Sequence, residues 1–215
     1  MDIKLNNTAQ GNQVVHILDD DAGMRASLDN LFRSVGYTTR AYASVSAFLA
    51  AGEESEPGCL VLDIRLPGMS GLDFQDQLRA SGSGLPIILM TGHGDIPMSV
   101  RGMKGGAIDF LAKPFREQDM LDAVAAALTL DLETRASVSE NADLRSRYET
   151  LSSREREVVA LVVTGKLNKQ IAFDLAISEI TVKIHRGNAM RKMGARNLVD
   201  FIQIAEALKL GGRAR

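Results

Sequence analysis

Short apolar runs rich in β-branched residues recur through the first half of the chain, at Val14–Leu18, Thr38–Tyr42, Leu60–Asp63, Pro86–Thr91 and Ile108–Ala112. The stretches between them, Met24–Val35, Ser44–Ala51, Leu72–Ala80, Met98–Lys104 and Glu117–Leu128, repeat their apolar positions with helical periodicity. Five strands alternating with five helices predict an α/β unit. Its sheet is parallel and doubly wound, with both faces covered by helices.

Between Phe115 and Thr164 there is neither Gly nor Pro, and 131–150 is rich in Glu, Asp, Arg, Ser and Ala. The last helix of the α/β unit is therefore expected to run on into a polar helical linker. A heptad seam that could make this linker a coiled coil fades after Leu132. Beyond it, Ser152 and Glu155 stand three residues apart as a capping box, which predicts a helix that continues to Gly165. Further helices are predicted over Lys169–Leu175, Glu179–Met193 and Leu198–Leu208, with a tight break at Ala176-Ile177-Ser178 and a stop at Gly194. The expected organisation is an α/β domain over 13–130, a linker over 131–149 and an all-α, four-helix domain over 150–212.

Composition narrows the class. At 215 residues with 45% hydrophobic content, the chain can bury two cores, so disorder is not its main state. The lone Cys59 leaves no intramolecular disulfide and no cysteine cluster for zinc. The first residues lack the layout of a secretory signal, and no apolar run is long enough to span a bilayer, so a cytoplasmic protein without membrane contact is expected. The formal charge of -2 conceals an asymmetry: residues 1–130 carry net -6, residues 131–150 net -2 and residues 151–215 net +6. The last third is the part suited to a polyanion.

In a doubly wound sheet, functional groups gather at the carboxyl ends of the strands. Asp19, Asp20 and Asp63 fall at the ends of the first and third strands, Thr91 ends the fourth, and Lys113 follows the fifth. Oxygen-only ligands favour a hard cation, and Mg²⁺ is the natural choice. A carboxylate nucleophile, a metal, a hydroxyl and an ammonium together describe a phosphoryl site. Asp21 is read as a helix cap, and His93 as an exposed loop residue.

These residues carry a resemblance. Asp19-Asp20, Asp63, Thr91 and Lys113-Pro114-Phe115 are similar to the signature of response-regulator receivers. Residues 62–71 (LDIRLPGMSG) and 91–98 (TGHGDIPM) resemble the FixJ-type branch. The resemblance implies that Asp63 accepts phosphate from a sensor histidine kinase and that Asp20, Asp63 and the Arg65 backbone carbonyl bind Mg²⁺. Asp19 would act through water or indirectly. Lys113 would pair with the phosphoryl group, while Thr91 and Phe110 would form the switch; the Phe110 position often carries Tyr in this family. Phosphorylation would then promote homodimerisation through the face made by the fourth helix, fifth strand and fifth helix. No enzyme activity is expected beyond the receiver's own phosphotransfer and autodephosphorylation.

The last third carries a second resemblance. The strings LSSREREV, NKQIA, SEITVKIHR and MRKM within 151–207 look like the LuxR/NarL-type helix-turn-helix. In that plan the second helix of the pair enters the major groove of double-stranded promoter DNA. Positions 179, 183, 186 and 187 are read as one outer face of Glu179–Met193, and Ile180, Ile184 and Met190 as packing partly inward. The resemblance gives groove contacts to Lys183, Ile184 and Gly187, and phosphate contacts to Lys169, Thr181 and Arg191. Family members often carry a long basic residue where Gly187 stands, and Arg186 is the candidate to replace it. RNA polymerase would be a partner at the promoter. The competing readings are a DNA-binding regulator independent of phosphate and a phosphohydrolase with an aspartate nucleophile. Against the latter, no cap insertion is present.

Overall fold

The computed structural model describes residues 13–92, 96–208 and 210. The first residues, His93 and residues 211–212 lie outside the described residues, and so do the expectations placed on them. The chain divides into two compact units that meet between Arg135 and Ala136.

In the first unit β1 (Val14–Leu18), β2 (Thr38–Tyr42), β3 (Gly58–Asp63), β4 (Ile87–Thr91) and β5 (Asp109–Ala112) alternate with α1 (Ala22–Ser34), α2 (Val45–Ala51), α3 (Gly71–Ala80), α4 (Ile96–Lys104) and α5 (Glu117–Glu149). All strand pairs are parallel, in the order β2-β1-β3-β4-β5. The three inner strands are buried along their whole length, as their unbroken apolar sequences require. Successive side chains point to opposite faces and so feed two separate cores. Val15, Ile17, Cys59, Val61, Ile88 and Met90 pack with Leu28 and Phe32 of α1 and Met120 and Val124 of α5. Leu18, Leu60, Leu62 and Leu89 pack on the other face with Phe48 of α2 and Phe74 of α3.

The helix starts follow local chemistry. Asp21 caps α1 as expected, its carboxylate accepting from the Gly23 and Met24 N–H groups at 2.7 and 3.2 Å. These two bonds hold its pKa below the ordinary aspartate range. Ser44 and Ser70 cap α2 and α3 in the same way.

α5 continues without a break through the stretch read as linker, and its first linker turn is bound to the first unit. Asp131 is buried and accepts from the Gly58 N–H at 2.9 Å and from Gln13 Nε2 at 3.3 Å. Arg135 Nε donates to the same carboxylate at 2.7 Å, and its terminal nitrogens reach the Ser55 and Glu56 carbonyls at 3.0 and 2.7 Å. The first compact unit thus includes the chain to Arg135. Gly58 is required at this point: a Cβ there would lie 1.9 Å from the Val14 carbonyl oxygen.

The second unit packs α6 (Ser153–Val163), α7 (Asn168–Asp174), α8 (Glu179–Met193) and α9 (Leu198–Ala207) around Val158, Val159, Val162, Ile171, Val182, Met193 and Phe201. Both bonds of the expected capping box form: Glu155 N–H to Ser152 Oγ at 3.2 Å and Ser152 N–H to Glu155 Oε2 at 2.8 Å. The same carboxylate receives Lys192 Nζ at 2.7 Å, which ties α6 to the end of α8. Burial pushes the Glu155 pKa up, but the Lys192 and Ser152 bonds prevail and hold it below the usual glutamate value. Gly165 and Gly194 adopt the left-handed conformation where α6 and α8 end.

Two predictions follow from these buried carboxylates. Asp131→Ala removes the acceptor of three donors and should lower the urea unfolding free energy by about 2–4 kcal/mol; a change below about 0.5 kcal/mol would mean that water replaces it fully. Glu155 has a depressed folded-state pKa, so its stabilisation is complete above the unfolded value near 4.5 and is lost as pH falls through the lower folded value. Circular-dichroism melts of the intact chain between pH 3 and 7 (roughly the carboxylate range) should show a flatter acid dependence in Glu155→Gln than in the wild type.

Candidate functional site

The parallel register brings four strand ends to one rim. β1 ends at Leu18, paired with Leu62 of β3, so Asp19 emerges beside Asp63; β4 delivers Thr91 next to them, paired with Ala112 just before Lys113. Backbone bonds fix the loops: Ile64 N–H donates to Met90 O at 2.9 Å, and Lys113 N–H to Thr91 O at 2.7 Å. The Lys113–Pro114 bond is cis.

Lys113 is the centre of the cluster. Its ammonium donates to Asp19 Oδ2 at 2.7 Å and to Asp63 Oδ2 at 2.6 Å. Burial lowers its pKa, but the two carboxylates outweigh that effect and raise it above the ordinary lysine range. Each aspartate uses its second oxygen on backbone: Asp19 Oδ1 accepts from the Asp21 N–H at 2.8 Å and Asp63 Oδ1 from the Arg65 N–H at 2.9 Å. Asp19 and Asp63 are buried while Asp20 is exposed, and single carboxylate oxygens of all three lie within 4.8 Å of one another. An open depression of about 470 Å³ adjoins them, lined by Asp20, Arg65, Met69 and Met98 among others.

This donor set suits a small hard cation. Three carboxylates and one ammonium leave two negative charges uncompensated, and every ligand atom on offer is oxygen. Asp19, Asp20, Asp63, Thr91 and Lys113 are therefore assembled as expected, with Asp19 bonded directly to Lys113. Phe110 sits partly buried against the second core. Its ring lies 3.7 Å from where a Cβ on Gly102 of α4 would be, and that Cβ would also stand 2.4 Å from Leu89 Cδ1. The absence of a side chain at Gly102 is what lets α4 approach the sheet beside Phe110.

In the second unit α7, the turn at 175–178 and α8 form a helix-turn-helix. Ala176 turns the chain with φ +53°, and Ser178 Oγ caps α8 by accepting from the Thr181 N–H at 3.1 Å. Lys169, Lys183, Gly187 and Arg191 are exposed, and the Thr181 hydroxyl lies 2.8 Å from Ser178 Oγ. The outer face differs from the expected one. Arg186 is half-buried and its guanidinium donates to Asn168 Oδ1 at 3.0 Å, so it braces α8 against α7. Ile180 and Ile184 point outward, 72% and 57% exposed, because Val182, Ala189 and Met193 already fill the inward face. The spacing of 180, 183, 184 and 187, one turn apart on a single face, was the available signal. Treating isoleucine as an inward residue obscured it. Sequence reasoning also missed Asn168.

Comparisons with known proteins agree with both halves. Residues 15–125 match the family described as response regulator receiver domain, and residues 149–205 match bacterial regulatory proteins of the luxR family. Nodulation protein W of Bradyrhizobium diazoefficiens is 53% identical over 195 residues, covering 91% of this chain and 86% of that protein. The transcriptional regulatory protein FixJ of Azorhizobium caulinodans is 42% identical over 89% of this chain and 90% of its own length. Among solved structures, response regulator StyR superposes with a TM-score of 0.80 at 45% identity, covering 91% of this chain and 98% of that one. No helix among the described residues is long and apolar enough to cross a membrane. The two family matches and the relatives place this chain in the response-regulator family, as a two-component transcription regulator with a luxR-type DNA-binding domain.

Proposed function

We propose that Asp63 accepts a phosphoryl group from a sensor histidine kinase and that this modification controls binding of the second unit to promoter DNA. The carrying observation is the Lys113 ammonium held between Asp19 and Asp63, beside a carboxylate cluster fit for a divalent cation. In the transfer, an Asp63 carboxylate oxygen forms a bond to phosphorus as the phosphorus–nitrogen bond of the donor's phosphohistidine breaks and the imidazole leaves with the bonding pair. Lys113 moves from the carboxylate to a phosphoryl oxygen, and the Arg65 N–H keeps Asp63 oriented.

Asp20, Asp63 and the Arg65 backbone carbonyl would hold Mg²⁺, with Asp19 directing Lys113; when bound, the ion neutralises charge on the phosphoryl oxygens. The same site would return the acyl phosphate to the free carboxylate by hydrolysis, the only turnover proposed. The phosphoryl group adds about -1.5 to -2 charges at the rim and draws the Thr91 hydroxyl toward it. Phe110 then turns into the vacated space and reshapes the α4–β5–α5 face for pairing with a second copy. That face already exposes Ile96, Val100 and Met103, at 79, 44 and 48%. On DNA, Lys169, Thr181 and Arg191 would contact phosphates, with Lys183, Ile184 and Gly187 in the groove. RNA polymerase is the further partner proposed at the promoter.

Acetyl phosphate with Mg²⁺ should add one phosphoryl group to the wild type by intact mass and none to Asp63→Ala, and a chelator should abolish the gain. If neither acetyl phosphate nor a competent sensor kinase labels the protein, phosphate control is wrong and a phosphate-independent DNA-binding regulator remains. In sedimentation, beryllofluoride should shift wild type toward dimer at concentrations where untreated protein is monomeric; identical profiles at all concentrations would remove the dimerisation step.

A further inference from the structure

The exposed face of α8 is chemically unusual for a surface that meets a polyanion. Ile180, Lys183, Ile184 and Gly187 share one side of the helix, with Ile180 in its first turn. Single exposed apolar residues are ordinary, but two isoleucines one turn apart on a solvent-facing stripe form a patch that water does not favour. At Gly187 a Cβ would meet nothing within 4 Å, so the stripe is open along that side.

Hydrogen-bonding capacity on this face is scarce. Arg186 is turned aside to Asn168, and Arg191, near the far end of the helix, donates to Asn188 Oδ1 at 2.7 Å. Among the three side chains of the stripe, Ile180, Lys183 and Ile184, Lys183 is the one that can bond a base edge. In the major groove, thymine is the base that offers an apolar group, its C5 methyl. The basic balance of the last third, net +6 over residues 151–215, favours duplex DNA over an apolar protein surface as the partner of this helix.

We propose that Ile180 is a specificity-determining residue that packs against the C5 methyl of a thymine in each half-site, so that this chain reads its operator largely by methyl contact. The inference rests on the reading of α8 as the groove-entering helix and adds a residue and a chemistry to it. Removing one buried methyl group should weaken binding about three- to tenfold.

The test begins with selection of a randomised duplex library by the full chain treated with beryllofluoride. The enriched duplex is then rebuilt with deoxyuridine in place of each thymine in turn, which deletes only the methyl group. The expected result is at least one position per half-site where deoxyuridine weakens the wild type about three- to tenfold, and where Ile180→Ala binds thymine and deoxyuridine alike. Because Ile180 is 72% exposed, this substitution removes little packing and the variant should fold. If no substitution carries a penalty, or if Ile180→Ala retains every penalty, the proposal is overturned while DNA binding stands. If Ile180→Ala binds as wild type but loses transcriptional output, the face meets a protein and the proposal is likewise overturned. Failure of the library to enrich overturns the DNA-binding reading itself, and the inference with it.

Discussion

The receiver half depends on one ammonium among carboxylates. Without Lys113, Asp19 and Asp63 would stand buried at adjacent strand ends with like charge and no cation, an arrangement costly in a low-dielectric rim. With it, two carboxylates are held in place by one group and still leave charge unsatisfied at Asp20. The site is thereby organised yet incomplete, the condition expected where an ion and an anionic group bind together.

The sheet supplies that geometry. Asp19, Asp63, Thr91 and Lys113 are far apart in the chain, yet each ends a strand or directly follows one, and parallel pairing in the order β2-β1-β3-β4-β5 delivers all of them to one edge. Two apolar cores, one on each face, hold the strands in that register, since a slip by one residue would turn every inward side chain the wrong way. The same precision lets Gly102 seat α4 close to Phe110 and Leu89.

In the helical half, polar bonds set orientation while apolar residues supply the core. Glu155 joins the start of α6 to the end of α8 through Lys192, and Asn168 fixes Arg186 against α7. Using Arg186 internally leaves Lys183 and the isoleucines Ile180 and Ile184 as the side chains of the exposed stripe.

Much of this was legible in the chain alone. Alternation of apolar runs with helical periods determined the doubly wound class, the strand-end aspartates marked the acidic rim, and Ser152 with Glu155 marked the helix after the linker, because these are local or strictly periodic signals. Three features were decided only in three dimensions. Asp131 and Arg135 read as linker polarity, yet they bind Gly58, Ser55 and Glu56, partners more than 70 residues away. Arg186 looked like a free cation until its neighbour Asn168 was brought beside it. By spacing, Ile180 and Ile184 looked suited to pack partly inward, although the resemblance already gave Ile184 to the groove, but the inward face of α8 was already filled by Val182, Ala189 and Met193. Sequence records the hydrophobicity of a residue; whether a buried place remains for it depends on which others have packed there first.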